Sequence, residues 1–165
     1  SIGYGNEKAL NQLLAHHAVI FKPQERLVWV STAPYQLGTF VAYDLKQIFS
    51  GSSYPSHTPY TQNPSLNIPA APFLYSQAFK DYEAYRGLEQ QIETHLREHT
   101  PIVIDKVKHI TALNPHYWKA YYLLGKAYQA QGNTSTAYQL FQKALQCEIP
   151  YSEEREKIEK LLIAH

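Results

Sequence analysis

The stretch HYWKAYYLLGKAYQAQGNTSTAYQLFQKALQCEIP, residues 116–150, carries two helical patterns broken at Gly132-Asn133 and closed by Pro150. The first is expected from His116 to Gln131; the second takes Thr134 or Ser135 as its cap and ends before Pro150. Gly125 and Ala137 are small where the helices must approach closely, and Gly132 supplies a helix end at positive φ. Tyr121, Tyr128 and Phe141 are expected to fill the space between them.

The same punctuation extends outward. A helix is expected from about Phe73 to Arg97, with Phe79, Tyr82, Tyr85 or Arg86, Leu88, Ile92 and Leu96 at helical spacing. Gly87 weakens its centre by about 1 kcal/mol relative to alanine. Thr100-Pro101 predicts a helix start, and Asn114-Pro115 an end just after Leu113. Ser152-Glu153-Glu154 opens a fifth helix, with Ile158, Leu161 and Leu162 on its apolar side. Residues 73–165 therefore predict a mainly α region of about five helices.

Within it, Tyr121, Leu124, Gly125, Tyr128, Gly132, Ala137, Phe141, Ala144 and Pro150 resemble a tetratricopeptide repeat, the proline standing one residue later than the pattern places it. The resemblance covers roughly residues 80–165. It implies TPR-like helical hairpins: this repeat, a degenerate preceding one closing at Leu113-Asn114-Pro115 with Val103 and Ile110 in place of alanines, and a solvating cap helix from Tyr151 to His165. It also implies that Lys119, Tyr122, Lys126 and Gln129 lie on the concave, peptide-binding face, where two lysines near a tyrosine would hold a peptide carboxylate.

Residues 1–50 read differently. EKALNQLLAHH predicts a short helix with Ala9, Leu13 and His17 on one face. HAVIF and RLVWVST, joined by Lys22-Pro23-Gln24-Glu25, predict a β-hairpin. Both faces of that hairpin are apolar, which predicts burial between two layers. The run ending at Phe49 predicts a further short helix or strand. Residues 51–72 contain no Asp, Glu, Lys or Arg but five of the ten prolines, and predict an extended connector resting on a surface through Tyr54, Tyr60, Leu66 and Ile68. The expected division is a hairpin-containing segment (1–50), a connector (51–72) and a helical domain (73–165).

His16 to Phe21, Pro23, Leu27 to Ser31, Pro34-Tyr35, Gly38 and Phe40 to Leu45 are similar to the last strands of the acyl-coenzyme A:6-aminopenicillanate acyltransferase-like branch of the N-terminal-nucleophile hydrolases. That resemblance implies that the hairpin belongs to a larger αββα sandwich of an enzyme that breaks or forms linear amides, its nucleophilic cysteine lying upstream of Ser1. A chain that begins Ser1-Ile2-Gly3 and contains no methionine is expected to be a trimmed part of a longer product. Two functions follow as expectations: the C-terminal part of such an amide hydrolase or acyltransferase, carrying a TPR-like appendage but not the nucleophile, or a stand-alone TPR-like interaction module. The expected partner is a protein or peptide, or the upstream part of the same chain. Exposed hairpin edges would also allow a homodimer.

Fifteen Lys and Arg against fourteen Asp and Glu give a net charge of +1, which speaks against a nucleic-acid surface. No apolar run approaches the roughly 18–20 residues of a membrane span, so a soluble chain is expected. Cys147, the single cysteine, can form neither an internal disulfide nor a zinc site and is expected to pack. His16-His17 has no Asp, Glu or Cys nearby, and Gly3 and Gly5 lack the strand and helix that a phosphate loop requires. The acidic groups Asp81-Glu83 and Glu153-Glu154-Glu156 complement helix starts, and Ser1 reads as a trimmed end rather than a nucleophile. The sequence assigns no catalytic residue, metal ligand or cofactor, and leaves the compartment open.

Overall fold

The computed structural model describes residues 2–9, 13–50 and 62–163. The chain is mainly helical, with a small antiparallel sheet ahead of the long helices. It divides into two compact units: Leu13–Ser76, and Ser1–Gln12 together with Gln77–His165.

In the unit Leu13–Ser76 the expected hairpin forms from β1 (Val19–Lys22) and β2 (Leu27–Ser31), and β3 (Phe40–Asp44) adds the third strand in the order β1-β2-β3. The register sets Ile20 and Ala42 on either side of Trp29, and Trp29, Ser31 and Ala42 form the buried face. The Asp44 carboxylate accepts from the backbone N–H groups of Lys46 and Gln47, capping the single turn α1 (Leu45–Ile48). Along the outer side of β3, Phe40 and Ile68 exchange both backbone hydrogen bonds, and the Trp29 indole N–H donates to the Leu66 carbonyl at 2.8 Å. The described part of the connector is therefore tied to the sheet through its backbone, whereas Leu66 and Ile68, expected to rest on a surface, are exposed because it is their main-chain groups that face the sheet; Tyr54 and Tyr60 lie outside the described residues.

Two expectations fail in these regions. The double burial expected of the hairpin is absent at β1, where Val19, Ile20 and Phe21 are 46%, 40% and 66% exposed. Apolar residues on both faces show that a strand could take a layer on each side, and among the described residues β1 has neither. The short helix expected over EKALNQLLAHH does not appear among its described residues, 7–9 and 13–17, which form turns, a bend and irregular chain. Asn6 Oδ1 accepts from Lys8 N–H at 3.0 Å, a local turn that competes with helix initiation.

The helical unit contains α2 (Gln77–Arg97), α3 (Ile104–Val107), α4 (Ile110–Leu113), α5 (Trp118–Ala130), α6 (Thr134–Leu145) and α7 (Ser152–Ile163). The helix expected between Thr100 and Leu113 is replaced by the two single turns α3 and α4. Ile102-Val103-Ile104 is a β-branched run that resists helix, and the Thr100 hydroxyl lies 2.7 Å from His95 Nδ1 instead of capping. Asn114-Pro115 does follow the end of α4.

The hairpin α5–α6 is built as its residues dictate. Gly132, at φ 77°, donates to the Gln129 carbonyl, and Asn133 N–H reaches back to the Tyr128 carbonyl at 3.0 Å, the two bonds of a Schellman stop. Asn133 itself, rather than Thr134 or Ser135, caps α6 by accepting from Thr136 N–H at 3.1 Å. Ala137, Phe141 and Ala144 are fully buried, and a Cβ on Gly125 would fall 2.6 Å from the Phe141 ring. Glycine here is what lets the ring lie on the α5 backbone.

Gly87 is different, since a Cβ there would meet nothing within 4 Å in the interior of α2. Gly87→Ala is therefore expected to raise stability by about 0.5–1 kcal/mol, seen as a higher denaturant midpoint with unchanged slope.

Candidate functional site

On α2 the buried side chains are Phe79, Tyr82, Tyr85, Glu89 and Ile92, so Tyr85 rather than Arg86 turns inward and brings a carboxylate with it. Glu89 is only 4% exposed. Three groups meet it: the Tyr85 hydroxyl at 3.2 Å, Arg86 Nη1 at 2.8 Å and, from α5, Lys119 Nζ at 2.9 Å. Lys119 also reaches Glu93 at 2.8 Å. A cavity of about 440 Å³ opens over this cluster, lined by Arg86, Gly87, Glu89, Gln90, Glu93 and Lys119.

Burial alone would lower the Lys119 pKa, but the hydrogen bond to Glu93 and the charge of Glu89 outweigh it and hold the ammonium above its ordinary value. Burial, reinforced by the Glu89 charge, pushes the Tyr85 hydroxyl far above the usual tyrosine range. With two carboxylates and two bases, the cluster is neutral overall. It can hold α2 against α5 and orient a polar ligand in the cavity.

The four residues expected to line a peptide-binding face share one side of α5, but their surroundings differ. Lys119 is engaged by α2 as described. Tyr122 is half-buried, its ring 5.9 Å from that of Trp118 and 6.2 Å from that of Phe141. Burial, then the charge of Glu154 on α7, raises its hydroxyl pKa. Lys126 Nζ donates to Gln129 Oε1 at 2.8 Å, a neutral partner that leaves the ammonium's charge uncompensated there. Tyr121, expected between the helices, is half-buried and donates its hydroxyl to the Pro115 carbonyl at 2.8 Å.

Sequence reading put Tyr85 or Arg86 at helical spacing without assigning either to a site, and missed Glu89 and Glu93. Their spacing of three and four along α2 was visible; a cation arriving from another helix was not.

His16 and His17 are both exposed, with ring centroids 6.5 Å apart. Cys147 is half-buried, its thiol pKa raised by burial, and lies near the Lys143 carbonyl. Among the described residues no group of three or more His, Cys, Asp or Glu side chains could hold a metal ion, and no helix is long and apolar enough to cross a membrane. Ser1 lies outside the described residues.

Comparison of the chain with protein-family models, with curated proteins and with solved structures returned no match.

Proposed function

We propose that the helical unit is a TPR-like protein-interaction module that takes acidic peptides on the Tyr122–Lys126–Gln129 face of α5. The observation that carries this reading is the α5–α6 hairpin, in which Gly125 admits the Phe141 ring between two antiparallel helices. In this reading Lys119 is a structural residue, occupied by Glu89 and Glu93, and Lys126 is the cation a ligand carboxylate meets.

The test is selection of random dodecapeptides on the full chain. Enriched sequences should be acidic, bind more weakly as salt rises, and lose at least tenfold in affinity to Lys126→Glu with the helical circular dichroism intact. Failure to enrich above an unrelated helical control would overturn the reading.

The exposed apolar strand β1 favours a second reading for the other unit. There the sheet belongs to an amide hydrolase or acyltransferase of the N-terminal-nucleophile type, and further strands of that enzyme cover Val19, Ile20 and Phe21. The reading frame upstream of Ser1 decides it: a segment with a cleavable cysteine supports this reading, and an initiator methionine immediately before Ser1 removes it.

A further inference from the structure

Residues 2–9 lie in the same compact unit as the long helices, and they are held there in the way a bound peptide is held. Asn114, 1% exposed in the loop between α4 and α5, makes two hydrogen bonds to one backbone residue: its Oδ1 accepts from Tyr4 N–H at 3.1 Å and its Nδ2 donates to the Tyr4 carbonyl at 2.8 Å. An asparagine that pairs with both backbone groups of one residue holds main chain whatever the side chain, and here it holds the turn at Tyr4-Gly5.

The flanking positions supply selectivity. Gly3 sits at φ 81°, and a Cβ there would fall 2.6 Å from the Tyr117 backbone. Gly5, at φ 83°, lies where a Cβ would stand 3.2 Å from the Tyr82 hydroxyl. Between them the Tyr4 ring meets Tyr82 edge-on at 6.3 Å, beside a cavity of about 380 Å³ bordered by Ala78, Asp81, Asn114 and His116. Asn6 is fully buried and donates to the Glu148 carbonyl at 3.0 Å, and Lys8 pairs with the Glu148 carboxylate.

We propose that this groove is a peptide-binding site and that residues 2–9 are its ligand, bound in cis and exchangeable for the same segment of a second copy of this chain. The ligand chemistry is glycine, aromatic, glycine, asparagine, then a base two positions on. Covalent attachment makes the cis segment's binding intramolecular, so it wins over a second copy until it is released. The proposal rests on reading the helical unit as an interaction module, but on a different surface from the Lys126 face.

The test uses the full chain with a protease site inserted after Ala9. After cleavage, a fluorescent peptide of residues 1–9 should exchange into the folded protein with a measurable rise in anisotropy. Peptides carrying Gly3→Val or Asn6→Ala should bind at least tenfold more weakly, as should the wild-type peptide to an Asn114→Ala chain. The peptide variants keep the test sound should Asn114→Ala not fold. The proposal is overturned if the cut chain stays folded yet never exchanges, if loss of the nonapeptide unfolds it, or if the variant peptides bind as well as the parent. A chain that takes selected acidic peptides but not this nonapeptide would remove this inference alone.

Discussion

Phe141→Ala should lower the stability of the helical unit by about 3–5 kcal/mol, the range for truncating a fully buried aromatic side chain. The ring does two jobs at once. It fills the space between α5 and α6, and it lies against the α5 backbone where Gly125 has no Cβ to obstruct it. Gly125→Ala in the otherwise unchanged chain should therefore cost about 1–3 kcal/mol through overpacking, against a helix preference that alone favours alanine by about 1 kcal/mol. Once Phe141 is alanine, the obstruction is gone and only the helix preference remains, so the same Gly125→Ala change should become neutral or stabilising. Urea unfolding of the four proteins, followed by helical circular dichroism, measures the coupling. Additive effects would mean that the hairpin does not depend on this close approach.

That hairpin was also the most legible part of the molecule, because its determinants are local. A glycine stop, small residues on facing helices and a regular apolar stripe all lie within one run of sequence. The boundaries that moved did so through local competition: Asn133 outranked Thr134 as a cap, and the β-branched run at Ile102 kept one expected helix to two single turns. The failures were matters of long-range pairing. An apolar run on both faces at Val19–Phe21 could not reveal that the strand would be left exposed. Nor did the sequence separate Lys119 from Lys126, since both fall on one face of α5 and only the position of Glu89 and Glu93 on another helix distinguishes them. The partnership of Asn114 with Tyr4 spans 110 residues, and no periodicity announces it.

Lys119→Met tests the other long-range pairing, and a loss of about 2–3 kcal/mol is expected, since Glu89 stays buried with Arg86 and the Tyr85 hydroxyl as its remaining partners. Converting Glu89 to methionine as well should recover much of that loss, because the stranded carboxylate is gone; a double variant as unstable as the sum of the singles would refute the pairing. The same cluster fixes a pH dependence. Lys119 and Tyr85, together with Tyr117, whose ring meets that of Tyr85 edge-on at 5.7 Å, have folded-state pKa values raised above their ordinary ones, the tyrosines mainly by burial and Lys119 by its two carboxylates against the opposing effect of burial. Each contribution is therefore complete below the unfolded-state values near about pH 10, and is lost as pH rises beyond them, where the unfolded chain releases protons that the folded chain retains. Denaturant midpoints should be level in this respect between pH 8 and about pH 9.5 and fall steeply above about pH 10. Tyr85→Phe and Lys119→Met should each make that fall shallower, Tyr85→Phe more so, because its hydroxyl is shifted furthest. An alkaline slope unchanged in both variants would show that neither group holds its proton through the cluster described.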